Sequence, residues 1–131
     1  MAKIRYIFIK EKMMKKFLFS MACVSFLFGN DYDVGLDFYK NKQYQNAYEY
    51  FLKSANSGNS QAAHNLAIMY HNGDGVKKDT TESIKWLQIA SDAKNPYAMT
   101  QLGNNYMNGL GVPKDYKKAI ALFTEAALLD N

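Results

Sequence analysis

Two stretches of this chain follow one pattern: residues 61–95, QAAHNLAIMYHNGDGVKKDTTESIKWLQIASDAKN, and residues 97–131, YAMTQLGNNYMNGLGVPKDYKKAIALFTEAALLDN. Identical residues recur 36 positions apart: Ala62 and Ala98, Leu66 and Leu102, Tyr70 and Tyr106, Gly73 and Gly109, Gly75 and Gly111, Val76 and Val112, Lys78 and Lys114, Asp79 and Asp115, Ile84 and Ile120, Ala90 and Ala126. A period of this length indicates stacked helix pairs. Such arrays bind other molecules along one face and seldom carry chemistry, so the repeat predicts a fold and only a class of function.

Each full unit reads as two helices joined by a glycine-containing loop. Apolar and small residues recur three and four positions apart in the first half of the unit, as in Ala98, Leu102 and Tyr106, which predicts a helix with one buried face. Asn-Gly at the end of that run predicts a glycine C-cap. Asp79, with Glu82 three positions later, predicts the N-cap of the second helix.

A shorter unit precedes these two. Residues 35–54, GLDFYKNKQYQNAYEYFLKS, keep the order of small and aromatic positions, with a loop between the helices that is four residues shorter. The sequence therefore predicts six helices. Small residues recur at the same two places in every unit, where the paired helices should approach closely: Gly35, Ala67 and Gly103 in the first helices, and Ala47, Ser83 and Ala119 in the second helices.

A family resemblance follows from residues 102–127. They read L-G-x-x-Y-x-x-G-x-G-V-x-x-D-x-x-K-A-I-x-x-F-x-x-A-A, which resembles the Sel-1-like repeat; residues 66–91 are a second copy with Ala67 in place of glycine and Ser83 in place of alanine. The first unit is similar to a plain tetratricopeptide repeat. The resemblance implies an all-α, right-handed solenoid of antiparallel helices that acts as an adaptor for protein complexes, often in secreted or periplasmic bacterial proteins.

Four segments are predicted from these patterns: a leader at 1–29, a tetratricopeptide-like unit at 30–59, and Sel-1-like repeats at 60–95 and 96–131. The formal net charge of +4 comes from the leader, which carries +5 because six basic residues are opposed only by Glu11, so the remainder carries −1. A near-neutral repeat region argues against nucleic-acid binding, which needs basic residues clustered on the folded surface.

The leader has the form of an export signal. Basic residues 10–16 precede an apolar run at 17–28 (FLFSMACVSFLF), which is shorter than the ~20 residues that span a bilayer. We therefore predict a periplasmic or secreted protein, with Met1, Met13 or Met14 as the start. Cleavage after Gly29 or after Ala22, lipidation of Cys23, and retention as an uncleaved membrane anchor remain alternatives.

One motif raises an enzymatic alternative. Ser91-Asp92-Ala93-Lys94 matches the S-x-x-K of serine β-lactamases, and a cysteine-rich subset of Sel-1-like proteins is described as β-lactamase-like or penicillin-binding. No S-D-N or K-T-G motif follows, and the cysteine pairs of that subset are absent. Ser91 also takes the repeat position of Ala127, which favours a structural role. We predict no catalytic residue, and β-lactamase-like or penicillin-binding hydrolysis is kept as the alternative function.

The glycine pairs and histidines give no ligand site. Gly73-Asp74-Gly75 follows a helix, whereas phosphate-binding glycine loops follow a strand. His64 and His71 are seven residues apart, which does not fit the i, i+4 spacing of a helical metal pair. Both are expected to be surface histidines. We predict no cofactor and no metal site.

A partner face is predicted on the first helix of each unit, which lines the inner curve in tetratricopeptide-type arrays. Aromatic, amide and sulfur side chains there suit an extended peptide or another protein. The predicted partner-binding residues are Tyr32, Tyr39, His64, His71, Asn72, Tyr97, Thr100, Asn104, Met107 and Asn108.

The last helix ends on apolar residues. Leu128 and Leu129 close it, and no polar capping helix follows in this sequence, although arrays normally need one. Two explanations stay open: the end is an interface for self-association or a partner, or the sequence is a truncated relative of a longer array. Three units lie at the lower limit for independent stability, so we expect a modest thermal midpoint, below about 75 °C.

Overall fold

The computed structural model describes residues 30–130, and that range contains six α-helices and no strand. The predicted leader, with its cleavage site and Cys23, lies outside the described residues. The helices are α1 Asp31–Lys40, α2 Tyr44–Asn56, α3 Ser60–Asn72, α4 Thr80–Asp92, α5 Pro96–Asn108 and α6 Tyr116–Leu129. Each packs on the next along the chain, which confirms the predicted all-α helical repeat solenoid. None of the helices between residues 30 and 130 is long and apolar enough to cross a membrane.

The helix ends follow from local sequence. The side chains of Asp79 and Asp115 accept hydrogen bonds from the backbone N–H groups of Glu82 and Lys118, which confirms them as N-caps of α4 and α6. Asn95 caps α5 in the same way, ahead of Pro96 in the first turn. At the other end, α3 and α5 stop at glycines in the left-handed conformation, as predicted.

Small residues do set the distance between paired helices. A Cβ added to Gly103 would lie 2.7 Å from the Phe123 ring, and one added to Gly35 would lie 2.7 Å from the Phe51 ring. In the middle unit Ser83 donates from Oγ to the carbonyl oxygen of Ala67, at 2.8 Å. That hydrogen bond forms only where the two backbones are close, so the predicted approach is confirmed in all three units.

The loop inside the first unit is shorter than the other two. Three residues, 41–43, join α1 to α2, whereas seven residues join α3 to α4 and α5 to α6. The difference of four residues is the one predicted from the sequence. Lys42 has a φ of 58° in this tight turn.

The junction between the second and third units is aliphatic. Its core contains Ala63, Ala67, Leu87, Ala90, Ala98 and Leu102, with Trp86 and Tyr106 packed against it. The loop after α5 packs on the same junction, because a Cβ added to Gly111 would clash with Ile84 Cδ1.

The junction between the first and second units is aromatic. The Tyr48 and Tyr70 hydroxyls lie 3.0 Å apart, and their rings meet edge to face. The hydrogen bond with the Tyr48 hydroxyl, and then burial, raise the pKa of Tyr70 to about 12. The loop after α3 packs closely on the start of α2, since a Cβ on Gly75 would lie 2.8 Å from the backbone carbonyl carbon of Tyr44.

Candidate functional site

An open pocket of about 500 Å³ lies between α5 and α6. One side consists of residues from the first helices, and the other side is α6. The α5 side carries Tyr97, Thr100, Gln101 and Asn104 together with His64 of α3; the α6 side carries Phe123, Ala126 and Ala127. Asp130, the residue after α6, also lines the pocket, so the α6 side is apolar except for this carboxylate, whereas the α5 side is polar and aromatic.

His64 is not the surface histidine that the sequence suggested. It is half-buried, its ring stacks on Tyr97 with a centroid distance of 6.4 Å, and Nε2 lies 3.1 Å from Gln101 Oε1. Burial lowers the pKa of His64, and the hydrogen bond to Gln101 opposes that shift. The arrangement fits a neutral imidazole that donates from Nε2. The prediction of a surface histidine was wrong because Tyr97 and Gln101, which cover His64, both come from α5 of the next unit, and the sequence of α3 alone does not show them.

Three further predicted residues meet His64 at this pocket. Tyr97 is 68% exposed, so most of its ring remains available to a partner. Thr100 donates its hydroxyl to the carbonyl of Pro96 one turn earlier, which leaves its oxygen lone pairs as acceptors. Asn104 is exposed, and within residues 30–130 its side-chain amide makes no hydrogen bond. These groups can bind both N–H and C=O groups of another chain.

Tyr39 and Asn72 lie elsewhere and hold a loop. Both donate to Asp74 Oδ2, Tyr39 from its hydroxyl at 2.7 Å and Asn72 from its amide at 3.2 Å. Burial, and then the Asp74 carboxylate, raise the pKa of Tyr39 to about 12. Tyr39 thus binds the loop between α3 and α4 to α1, and Asn72 holds the same loop to the end of α3, so both side chains have a structural role.

The other four predicted residues are dispersed. Tyr32 packs against the Phe51 ring, at a centroid distance of 5.9 Å. His71 is exposed, Met107 is half-buried, and Asn108 is exposed with its amide donating to the Asn104 carbonyl oxygen. These four residues are not among those that line the pocket. Partner binding by any of the ten residues stays a prediction.

The S-x-x-K motif is not arranged like a nucleophile and its base. Ser91 is only 4% exposed, at the inner side of α4. Lys94 forms an ion pair with Glu125 of α6, to which its ammonium group donates. A catalytic serine has to reach its substrate, and the burial of Ser91 fits the structural role that its repeat position suggested.

Sequence reasoning did not predict six of the residues that line the pocket: Pro96, Gln101, Phe123, Ala126, Ala127 and Asp130. Gln101 lies one turn after Tyr97 and binds His64, and Phe123 forms the apolar side. Phe123 carried a signal, because it takes the repeat position of the apolar Leu87. Gln101 corresponds to Asn65, an ordinary polar position, so nothing in the sequence marked it.

A family model matches nearly all of the described chain. The Sel1 repeat model matches residues 29–59, 60–95 and 96–131. A putative sel1-like repeat-containing protein of Acanthamoeba polyphaga mimivirus is 32% identical over 68 residues, which are 52% of this chain and 13% of the viral protein.

Two solved structures have the same fold. A protective antigen of uropathogenic Escherichia coli with an SLR fold superposes with a TM-score of 0.71 at 34% identity, over 77% of this chain and 22% of the antigen. A Sel1 repeat protein from Oxalobacter formigenes superposes with a TM-score of 0.70 at 36% identity, over 76% of this chain and 40% of the Oxalobacter chain. This chain thus spans less than half the length of each of these proteins. With three repeats matched and the fold shared, the chain belongs to the Sel1 repeat family.

Proposed function

We propose that the protein binds an extended segment of another protein along the first helices of its units, α1, α3 and α5. The centre of the site is the α5 side of the pocket. Sel1 repeat proteins are protein-interaction modules, and this is the general class in which the proposal falls. The observation that carries it is the convergence of His64, Tyr97 and Asn104 on one open pocket.

The chemistry of these side chains suits main-chain recognition. An exposed tyrosine ring offers buried area with little loss of rotamer freedom, and tyrosine is enriched among residues that dominate interface energies. The Asn104 amide can donate to and accept from a peptide backbone. Because His64 is held by Gln101 and Tyr97, its ring is already positioned before a partner binds.

The proposed place of action is the periplasm or the outside of the cell. This rests on the basic and apolar pattern of residues 10–28. Fractionation of cells that express the full chain, with mass spectrometry of its N-terminus, tests the location. Recovery of the uncleaved chain from the cytoplasm alone would contradict it.

Site-specific photo-crosslinking tests the binding face. Tyr97 is replaced by p-benzoylphenylalanine, and the same replacement of Tyr116 serves as the control, because Tyr116 is 56% exposed at the start of α6 and does not line the pocket. We expect a discrete adduct from position 97 that position 116 does not give, with the crosslink mapped to one linear segment of the partner. Identical adducts from both positions would refute the proposed face.

A further inference from the structure

The loops that join the two helices of each unit lie along one edge of the array. Each of the two longer loops packs on the start of the preceding second helix, Gly75 against Tyr44 and Gly111 against Thr80. Exposed lysines occupy these loops and the helical turns beside them, and within residues 30–130 none of these lysines forms an ion pair. They are Lys40, Lys42, Lys77, Lys78, Lys114, Lys117 and Lys118.

The second and third units differ in charge at this edge. Residues 74–82, DGVKKDTTE, carry a formal charge of −1, whereas the equivalent residues 110–118, LGVPKDYKK, carry +2. We call residues 110–118 the basic segment. Three exchanges between the repeats add positive charge and one removes it. The four pairs are Asp74 and Leu110, Thr81 and Lys117, Glu82 and Lys118, and Lys77 and Pro113.

The carboxylates at this edge are bound within the protein. In the second unit Asp74 accepts a hydrogen bond from Tyr39, and Glu82 forms an ion pair with Lys85. The carboxylate of the basic segment belongs to Asp115, which caps α6. The ammonium groups of the basic segment therefore remain available to an anion from outside the protein.

Aromatic rings hold two of these ammonium groups. Lys118 Nζ lies 5.0 Å from the centroid of the Tyr106 ring, and Lys114 Nζ lies 5.6 Å from the centroid of the Tyr116 ring. Cations at such distances are attracted to the face of the ring. The second unit has Thr80 at the position of Tyr116, so this support for a loop lysine belongs to the third unit.

An exposed leucine accompanies the lysines. Leu110 is 56% exposed in the loop between α5 and α6. Its repeat equivalent, Asp74, reaches back to Tyr39 of the preceding unit. The position of Leu110 is therefore next to the second unit, which the structure describes.

Exposure at this edge is a property of the repeat. The second unit has a described unit on either side, and its residues at the positions of Pro113, Lys114 and Lys117 are exposed as well. They are Lys77, Lys78 and Thr81. A neighbouring unit thus leaves these positions accessible.

We propose that the basic segment binds the surface of a membrane that contains anionic lipids. Its lysines contact lipid phosphates, and Leu110 enters the boundary between headgroups and acyl chains. An apolar side chain among lysines and a tyrosine suits that boundary. Residues 30–130 contain no arginine, and lysine binds phosphate as a mobile point charge, which suits a fluid surface. Leu110 favours lipid over a nucleic acid, whose phosphates give an apolar side chain no partner.

A polarity-sensitive fluorophore at the segment tests this contact. Nitrobenzoxadiazole is attached to the cysteine of Pro113→Cys in the full chain, after Cys23→Ser has removed the natural thiol. The control chain carries the label at Lys77→Cys, the repeat equivalent of position 113. Both chains have the same leader, so adsorption through the leader is common to both. Each chain is titrated with vesicles of phosphatidylglycerol and phosphatidylcholine in equal parts, and with phosphatidylcholine alone.

We expect a saturable rise and blue shift of the emission at position 113 with the anionic vesicles. No such change is expected at position 77 or with phosphatidylcholine alone. Because the attraction is electrostatic, the response at position 113 should weaken as the salt concentration rises.

Two sets of substitutions, each made in the chain labelled at position 113, make the test specific. Leu110→Asp, Lys117→Thr and Lys118→Glu together give the third unit the residues that the second unit has in the same fold. Lys77→Glu with Lys78→Glu is the matched control, because it changes the formal charge by the same −4. The half-saturating lipid concentration should rise at least ~tenfold for the first set and less than ~threefold for the second.

Two further measurements complete the test. Circular dichroism checks that every variant is folded. Leu110→Ser keeps the charge and should still raise the half-saturating lipid concentration about threefold, because it removes the apolar side chain that enters the membrane.

Four results would overturn the proposal. They are the absence of a response at position 113 up to ~1 mM lipid, equal responses at positions 113 and 77, and equal weakening by the two sets of substitutions. The fourth is a response to duplex DNA or to poly-glutamate that equals the response to anionic vesicles at the same concentration of negative charge, which would identify another polyanion or an acidic protein as the ligand. None of these results depends on Tyr97, whose crosslinking tests the proposed peptide site separately.

Discussion

Helices α4 and α6 hold the same place in successive units, yet within residues 30–130 only α4 of these two has a neighbouring helix on both sides. α4 lies between α3 and α5, and Leu87 is fully buried there. α6 packs on α5, while Ile120 and Leu128 remain largely exposed. The two helices share caps, period and small residues, so local sequence sets where each helix forms. Burial of its second apolar side depends on the unit that follows.

The largest expected effect on stability comes from removing a buried side chain of α4, the helix that packs between two neighbours. Leu87→Ala should lower the free energy of unfolding by about 3 kcal/mol, because it leaves a cavity in the core between the second and third units. Leu128→Ala on the exposed side of α6 should change it by less than ~0.5 kcal/mol. Urea denaturation measures both. A cost for Leu128→Ala close to that of Leu87→Ala would show that α6 is covered after all.

The two loop glycines give the next largest difference. Both Gly75 and Gly111 have positive φ, so alanine is strained at either position. At Gly75 the new Cβ would meet the backbone of Tyr44, whereas at Gly111 it would meet the movable ends of the Ile84 and Thr80 side chains. We expect Gly75→Ala to cost about 3 kcal/mol and Gly111→Ala about 1 to 2 kcal/mol. Equal costs would mean that the backbone contact does not matter.

Ile84 and Ile120 hold the same repeat position, so comparing their alanine variants measures how much packing of the next unit's loop adds to stability. Ile84→Ala should cost about 1 to 2 kcal/mol, since Ile84 packs on the central core and on the Gly111 loop. Ile120→Ala should cost less than ~0.5 kcal/mol because Ile120 has an open side. Thermal unfolding of the two variants, compared with the wild type, measures the difference. A larger cost for Ile120→Ala than for Ile84→Ala would contradict the exposure of Ile120.

The smallest effect is a pH dependence at His64. Its pKa is lowered in the folded state by burial, so the unfolded chain takes up the proton more readily. His64 therefore lowers stability as the pH falls through its ordinary unfolded value of about 6.5, and has no such effect above it. In His64→Gln, the loss of thermal stability between about pH 7.5 and pH 5.5 should be smaller than in the wild type. An unchanged pH profile would argue against the burial of His64.

The fold was predictable because its signals are local and repeated. Asp79 and Asp115 cap helices through backbone groups three residues away, and Gly73 and Gly109 end helices by their own conformation. Such features need no knowledge of the rest of the chain. The repeat distance of 36 residues then places the helices in order.

The site was less predictable because it is made of residues in which the repeats differ. His64 has Thr100 as its repeat equivalent, and its partner Gln101 lies 37 residues away on another helix. Asp74, which binds Tyr39, has Leu110 at its repeat position. A pattern shared between units cannot reveal a contact that only one unit makes. The partner-binding list therefore combined pocket residues such as Tyr97 with structural residues such as Tyr39.

Hydrogen–deuterium exchange of the full chain tests the difference between α4 and α6 most directly. The central claim is that α6 forms the same helix as α4 but, within residues 30–130, packs on one neighbouring helix where α4 packs on two. We predict that the interior amides of α4 exchange at least ~tenfold more slowly than those of α6. Equal protection of the two helices in the monomeric chain would contradict the claim.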